Sequence, residues 1–123
     1  MLFDVLIINN TIVDNVAGGG ISLDADEPYT ITNNIIWGNT PQDLPRGSAT
    51  FSNIESGNTL GFENLSVDPE FIDRINDDYR LAGTSPCIDA GTDAIVPVWL
   101  TTDFEGDTRI FNTVDMGADE YIP

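Results

Sequence analysis

An Asn-rich pattern that occurs twice constrains the fold of this chain more than any other feature. The stretch NNTIVDN begins at Asn9 and the stretch NNIIWGN begins at Asn33, so the two copies are offset by 33 − 9 = 24. Each copy contains two Asn residues, three mostly apolar residues, one further residue and a closing Asn. Self-similarity at a fixed period is the signature of repeat architectures, in which one unit stacks on the next. The sequence therefore predicts stacked units.

The apolar runs that accompany this repeat have the character of strands. Before Asn58 they are short, rich in β-branched side chains, and separated by Gly, Asn, Asp and Pro. That composition is typical of strands and turns, and no stripe of helical period and length is present. Two or three short strands per period fit one coil of a parallel β-solenoid, whose coils stack about 4.8 Å apart. We therefore expect an all-β chain with two to three parallel coils in residues 1–57.

The repeated Asn residues are expected to be corners of these coils with a structural role. In a stack of constant period, each Asn of one copy lies under the matching Asn of the next. Amides at that spacing can hydrogen-bond to one another in a ladder, and Asn tolerates the left-handed backbone of tight corners. The alternative is two unrelated Asn-rich turns. The predicted pairs are Asn9 with Asn33, Asn10 with Asn34, and Asn15 with Asn39.

The repeat fades toward the C-terminus. A weaker third copy starts near Phe51, at an offset of 51 − 31 = 20 from Ile31, and from Asn58 onward the pattern is lost. The segment 58–123 carries most of the carboxylates of the chain. Because a stack of coils needs its exposed end covered by atypical sequence, we expect residues 58–123 to be an irregular C-terminal cap of the same domain.

Several motifs of this segment carry a resemblance to a known family. VDPEFID, DDYRLAGTSPCIDAG, DFEGDTR and VDMGADEY follow one another in this order between Val67 and Tyr121. Together they resemble the C-terminal region of large secreted bacterial right-handed parallel β-helix proteins. Some of these proteins are called choice-of-anchor Q proteins, and they are similar in fold to pectate lyases. The resemblance implies a right-handed coil and an extracellular or cell-envelope setting rich in carbohydrate.

The chain also departs from that family. Family members have many more coils upstream and an export signal, whereas this chain has no recognisable signal peptide after Met1. We expect either a fragment of a longer protein or an independent short reading frame. Catalytic grooves in such proteins are built along the central coils, so the resemblance does not carry an activity to this chain.

The charge balance restricts the partners. The chain has 21 acidic residues, four Arg, no Lys and no His, and a formal net charge of −17. Nucleic acids and anionic membranes repel such a protein, whereas cations, basic proteins and neutral polymers do not. No apolar run approaches the roughly 18 residues of a transmembrane helix. We therefore expect no nucleic acid and no membrane as partner.

Residues that could carry catalysis are better explained as structural. Cys87 has no His to act as its base, so it is expected to be a small buried side chain. Arg80 and Arg109 are expected to form forked ion pairs with nearby carboxylates rather than to remove a proton in a lyase reaction. Trp37 and Trp99 could stack on sugars, but we expect Trp37 in the core and Trp99 over the end of the stack.

Two acidic clusters are candidate cation sites. Asp103, Glu105 and Asp107 alternate around Gly106 and form a weak calcium candidate, because Ca²⁺ prefers six to eight oxygen ligands. The stretch DADE at residues 24–27 is a second cluster. Turns stabilised by Asp side chains are the competing explanation for both. No other cofactor is expected.

The sequence therefore favours a non-catalytic structural or surface-interaction module, associated with carbohydrate by resemblance only. One alternative is a fragment of a polysaccharide lyase or glycoside hydrolase, and another is an acidic decoy that binds a basic protein. The first coil would expose unpaired strand edges, so we expect a homo-oligomer formed through it. A monomer at every salt concentration in sedimentation experiments would refute that association.

Overall fold

Short strands dominate the regular structure of the chain. A computed structural model describes residues 5–23, 28–58 and 60–123. The DADE cluster at residues 24–27 therefore lies outside the described residues. The strands are β1 (Val5–Ile8), β2 (Thr11–Val13), β3 (Tyr29–Thr32), β4 (Ile35–Trp37), β5 (Ala49–Thr50), β6 (Asn53–Ile54), β7 (Phe71–Asp73) and β8 (Asp78–Leu81). Short 3-10 helices occur at Arg74–Asn76 and Asp93–Ile95.

The repeat sets the register of the parallel pairs. β1 pairs with β3 and β2 pairs with β4, so that Ile7 faces Ile31 and Thr11 faces Ile35, at the same offset as the Asn residues of the two copies. β5 and β6 then pair with β3 and β4 at a shorter offset, because Ile31 faces Ala49. The expected spacing of the third copy, which placed Phe51 opposite Ile31, is therefore wrong.

The predicted short right-handed parallel β-helix with an irregular C-terminal cap is wrong, although the chain is all-β. The described residues form two separate three-stranded parallel sheets, β1-β3-β5 and β2-β4-β6, and a two-stranded antiparallel sheet of β7 and β8. They do not form a continuous solenoid coil. The strands are only two to four residues long, and the offset between paired residues falls from 24 to 18 after two copies. The repeat thus sets strand pairing without building regular coils.

β4 separates the two cores of the molecule. Successive side chains of a strand point to opposite faces. Ile36 accordingly packs with Ile21, Ile31 and other apolar residues between the parallel sheets. Ile35 faces the other way and packs with Leu81, Cys87 and Met116 of the C-terminal segment. Ile35 and Ile36, on opposite faces of this short strand, are both fully buried.

The C-terminal segment lies along the side of the strands. Backbone N–H of Gly117 donates to the carbonyl of Asn33, and Asn9 Nδ2 donates to the carbonyl of Asp115 at 3.0 Å. These contacts reach two successive copies of the repeat, at the corner between the parallel sheets. The segment therefore covers the outer face of the β2-β4-β6 sheet.

Candidate functional site

The stacked Asn side chains hold neighbouring turns together. Asn34 Oδ1 accepts hydrogen bonds from the backbone N–H and the amide of Asn10, at 2.9 and 3.2 Å. Its Nδ2 donates to the carbonyl of Ile7 at 2.7 Å. Asn39 does the same with Asn15 and with the carbonyl of Ile12. Each buried amide thus satisfies a donor and an acceptor of the preceding copy.

The same arrangement continues with residues that the sequence did not indicate. Asn64 Oδ1 accepts from the backbone N–H of Ser52, and Asn64 Nδ2 donates to the carbonyl of Ala49. Ser52 itself accepts from the backbone N–H of Asn34 through its hydroxyl. The repeat pattern did not indicate Asn64, for two reasons. Ser52 occupies the position of an Asn, and Asn64 follows Ser52 at half the spacing that separates Asn10 from Asn34.

Left-handed corners precede these amides. Asn9 and Asn33 have φ angles of 52° and 62°, and Phe51 takes the matching place in the third copy with φ 49°. Asn adopts this conformation more readily than other residues with a side chain. Asn33 also links the corner to the C-terminal segment, because its amide exchanges hydrogen bonds with the backbone of Thr92. The Asn residues therefore serve the fold.

An acidic triad of Asp103, Glu105 and Asp119 is the candidate metal centre of the described residues. One carboxylate oxygen from each residue lies within 4.8 Å of the others, so the triad could hold a metal ion. Asp103 and Asp119 are buried, and Glu105 is exposed. Asp107, predicted from the sequence, is not one of the three; its backbone N–H donates to Asp103 Oδ1 at 2.9 Å. Asp107 lines the adjoining cavity of about 230 Å³.

Backbone N–H groups fix the two buried carboxylates of the triad. Asp103 Oδ2 accepts from Glu120 at 2.8 Å, and Asp119 Oδ2 accepts from Leu81 at 2.8 Å. Burial raises the pKa of Asp119 to about 7, helped by the negative charges of Glu105 and Asp103 and opposed by the Leu81 hydrogen bond. The nearest cation is Arg80, whose Nη1 lies 3.9 Å from Glu105 Oε2.

Arg80 and Arg74 each form an ion pair with a carboxylate near the protein surface. Arg80 forms a forked pair with Asp78, with Nε···Oδ1 2.8 Å and Nη2···Oδ2 2.7 Å. Arg74 binds Asp14 in the same way, and Tyr79 donates to that carboxylate at 3.0 Å, so the pKa of Asp14 is lowered. This contact joins the end of β2 to the β7-β8 hairpin.

Arg109 and Glu120 form a buried ion pair beside the triad. Arg109 Nη2 donates to Glu120 Oε2 at 3.1 Å, and both side chains are almost fully excluded from solvent. Glu120 also accepts from the backbone N–H of Phe111 and Asp115. Arg109 Nε is buried and has no hydrogen-bond partner among the described residues. The pair therefore organises the last turns of the chain.

Asp115 is one of two buried carboxyl groups, with Asp119, that are expected to make the stability of the protein depend on pH. Burial raises the pKa of its carboxyl to about 7, supported by the charges of Glu120 and Asp89 and opposed by backbone hydrogen bonds from Asp89 and Tyr121. Because the pKa is higher in the folded state, the protonated carboxyl favours folding. This contribution to stability is complete below the unfolded-state pKa near 3.9 and is lost as the pH rises through 7. We expect the free energy of unfolding to fall by a few kcal/mol, roughly, between pH 5 and pH 8.

Urea unfolding at constant ionic strength measures this effect. Asp115→Asn should make the pH profile shallower, with the remaining slope supplied by Asp119, whose pKa is also raised to about 7. Asp73→Asn, an exposed control with the same change of charge, should keep the wild-type slope. A wild-type stability that is constant or rises between pH 5 and pH 8 contradicts the prediction.

Cys87 and the two Trp residues have different environments. Cys87 is fully buried, and burial raises the pKa of its thiol to about 11, which disfavours the reactive thiolate. Trp37 is half-buried against the core that contains Ile35. Trp99 is 74% exposed, so the prediction that it covers the end of a stack is wrong.

Three adjoining cavities lie along the C-terminal segment, and the first is lined by residues on both sides of Trp99. The first has about 360 Å³ and is lined by Val96, Val98, Leu100 and Arg109 among others. The second has about 450 Å³ and shares Leu100 and Arg109 with the first. The third has about 220 Å³ and shares Phe104 and Ala118 with the second. Because they share walls, the cavities follow one another along the C-terminal segment.

Searches among protein-family models, curated proteins and solved structures found no match to this chain. The resemblance to secreted β-helix proteins therefore stands on the sequence motifs alone. Among the described residues, no helix is long and apolar enough to cross a membrane.

Proposed function

We propose that this chain is a non-catalytic surface-interaction module that binds carbohydrate along its C-terminal segment. The observation that carries the proposal is the row of three adjoining cavities, two of which are lined by the exposed Phe104. Trp99 is 74% exposed and Phe104 is 62% exposed. Phe104 lines two of the cavities, and Trp99 lies between the lining residues Val98 and Leu100. Aromatic rings with open faces offer a sugar ring an apolar surface while its hydroxyl groups remain hydrated.

Most polar side chains that could take part in catalysis are already bonded within the fold, which agrees with a binding role. The Asn ladder is engaged in hydrogen bonds within the fold, and Arg74, Arg80 and Arg109 are each paired with a carboxylate. Glycoside hydrolases commonly hold their two carboxyl groups about 5–10 Å apart to accommodate the glycosidic oxygen or a water. One carboxylate oxygen of Glu105 lies within 4.8 Å of one of Asp119, so this pair could hold a cation.

Replacing Trp99 or Phe104 with alanine should weaken oligosaccharide binding by about tenfold, which corresponds to about 1.4 kcal/mol. The loss is expected because each substitution removes an exposed ring without disturbing a buried core. Isothermal titration calorimetry with a panel of neutral and acidic oligosaccharides measures the affinity.

Ile75→Ala is the control, because Ile75 is 94% exposed and lies on the 3-10 helix between β7 and β8. It should bind like the wild type. Equal binding by all three variants and the wild type would contradict the proposed surface. Binding of basic proteins with no binding of sugars would instead favour the acidic-decoy alternative.

We further propose that the acidic triad takes calcium as a structural ion. Asp103 and Glu105 belong to one turn, whereas Asp119 comes from the last turns of the chain, so an ion held by all three would tie these parts together. Carboxylate oxygens suit Ca²⁺, and three of them leave room for waters in its shell of six to eight ligands. The nearby Arg80 guanidinium weakens the site, which supports an affinity on the order of 10⁻⁴–10⁻³ M.

Calcium at 10 mM should stabilise the protein by about 1.4 kcal/mol if the dissociation constant is about 1 mM. Differential scanning calorimetry at fixed ionic strength, with Ca²⁺ compared against Na⁺, measures the rise in Tm. Asp119→Asn should abolish the rise, because the substitution removes one charged ligand and keeps an acceptor for the Leu81 N–H. Asp73→Asn is the exposed control and should respond like the wild type. A rise that persists in Asp119→Asn contradicts this site.

A further inference from the structure

We propose that the free edges of β1 and β2 form the interface of a head-to-head homodimer, in which β1 of one protomer pairs antiparallel with β2 of its partner. The two-fold axis passes through the corner between Asn9 and Asn10. Among the described residues, β1 pairs only with β3 and β2 pairs only with β4, so both strands lie at the same end of their sheets. This interface does not rest on the carbohydrate binding proposed above.

The free edge of β1 carries backbone groups that have no partner strand. Alternate residues of a parallel strand bond to opposite sides. The N–H groups of Val5 and Asn9 donate to carbonyls in and beside β3. Leu6 and Ile8 therefore direct their N–H and C=O groups to the open side, where the Ile8 carbonyl accepts only from the side chain of Asn10.

The free edge of β2 has the same property. The carbonyl of Asn10 and the N–H of Asp14 bond to backbone groups of β4. By the same alternation, Thr11 and Val13 direct their backbone groups to the open side. An edge with free N–H and C=O groups is a template for pairing with another chain.

The residues around the corner are arranged so that two copies can match. Residues at equal distances on the two sides of the corner share their orientation, and the matched pairs are Ile8 with Thr11, Ile7 with Ile12, and Leu6 with Val13. A two-fold axis at the corner therefore places the open-side groups of β1 opposite the open-side groups of β2. It also places Ile7 opposite Ile12, and both of these side chains face the same core. Such self-complementarity is what a two-fold interface requires.

The apolar core is incompletely covered at this end of the sheets. Ile7 and Ile12 are only half-buried. Their counterparts one copy later, Ile31 and Ile36, are 2% and 0% exposed. Leu6 on the same edge is 52% exposed. A second copy placed on the edge would cover these side chains and add a hydrophobic contribution to the pairing.

The distribution of charge favours a second copy as the occupant of this edge. Residues 5–23 contain a single charged side chain, Asp14, and Arg74 forms an ion pair with it. The chain as a whole has a formal net charge of −17, so two copies repel each other least where they meet through this segment. A basic partner, in contrast, would find no free carboxylate on the paired strands.

The opposite end of the sheets is covered by the chain itself. The N–H groups of Phe51 and Ile54 donate to the carbonyls of Phe62 and Leu65. Residues 62–65 therefore lie along the far edge of β6. Head-to-tail stacking would need that edge and would continue into a filament, whereas head-to-head pairing closes at two copies.

Sedimentation equilibrium of the chain at about 0.05 M and 0.5 M NaCl tests the dimer. We expect a monomer–dimer equilibrium with a dissociation constant on the order of 10⁻⁵ M, because the interface is small. The dimer should be favoured at the higher salt concentration, since screening reduces the repulsion between two acidic chains. A monomer at every concentration and salt overturns the proposal and leaves the edge to a different strand-bearing partner.

A charge placed on the edge should separate the two copies. Leu6→Asp should raise the dissociation constant by roughly tenfold or more, because it puts a carboxylate among apolar residues on both sides of the axis. Ile72→Asp is the matched control, since Ile72 is also 52% exposed, lies in β7 and undergoes the same change of charge. It should dimerise like the wild type. Equal weakening by the two substitutions overturns the interface.

Cysteine cross-linking tests the position of the axis. The proposed pairing brings Leu6 of one protomer beside Val13 of its partner, at a Cα separation of about 5.5 Å that a disulfide can span. Under mild oxidation, a mixture of Leu6→Cys and Val13→Cys proteins should form a cross-linked heterodimer, while neither protein alone should cross-link. The native Cys87 does not interfere, because it is fully buried. Cross-linking of Leu6→Cys with itself, or none in the mixture, overturns the axis at the Asn9–Asn10 corner.

Discussion

Replacing Glu120 with glutamine should lower the free energy of unfolding by about 3–5 kcal/mol, because it leaves the buried Arg109 guanidinium without its counter-charge. Glu120 accepts from Arg109 and Asp115 through Oε2 and from Phe111 through Oε1. The amide of glutamine can replace only one of these oxygens with an acceptor, so its NH₂ group would face a donor. A domain of this size is typically stable by only about 5–15 kcal/mol, so the loss should be large enough to leave the variant partly unfolded at 37 °C.

Urea unfolding at pH 7 measures this loss, and Glu63→Gln is the matched control. Glu63 is exposed, so its substitution removes one negative charge from the chain without uncovering a buried cation. It should change the free energy of unfolding by less than about 0.5 kcal/mol. If both substitutions had the same effect, the buried ion pair would not be the element that holds the C-terminal turns.

The second large effect is expected at Asn34. Asn34→Ala removes the acceptor of the Asn10 backbone N–H and the donor to the Ile7 carbonyl, and it leaves a gap where a fully buried side chain stood. Each buried polar group left without a partner costs about 1–3 kcal/mol. We expect the free energy of unfolding to fall by roughly 2–4 kcal/mol. This range is below the full sum for two buried groups, because the hydrogen bonds of Asn34 to Asn10 and Ile7 are only partly buried.

The control for Asn34 is its own partner. Asn10 is exposed, and its side chain donates only to the Ile8 carbonyl and to Asn34. Asn10→Ala should therefore cost about 0.5–1 kcal/mol in the same denaturation experiment. Equal losses at the two positions would mean that the buried amide is not the essential member of the pair.

The strand pairs could be predicted from the sequence, whereas their architecture could not. Asn10 and Asn34 are identical residues at a fixed spacing, and their pairing follows from that spacing alone. The third copy was placed incorrectly because Phe51 occupies an Asn position and the connection before it is shorter than in the second copy. The position of the C-terminal segment depends on long-range contacts, such as that from Asn9 to Asp115, that no local pattern encodes.

The candidate site was also predictable only in part. Asp103 and Glu105 belong to one turn, in which the Glu105 N–H donates to Asp103, and a sequence pattern can identify such a pair. Asp119 comes from a later turn and is brought to them by the hydrogen bond from Glu120 to Asp103. The sequence indicated the position of Asp119 only through the adjacent Gly117-Ala118 pair, because small residues allow the chain to approach the strands closely. The exposure of Trp99 depends on the loop that presents it, and its apolar neighbours in the sequence suggested the opposite.

The position of β4 has a thermodynamic consequence. Ile35 and Ile36 are adjacent in the chain, yet each is fully buried in a different core. Neither core can unfold while β4 stays folded, since unfolding of one core would expose an isoleucine of β4 that the other core cannot bury. Heating should therefore disrupt both halves in a single cooperative transition, and the backbone amides of β4 should be among the last to exchange with deuterium.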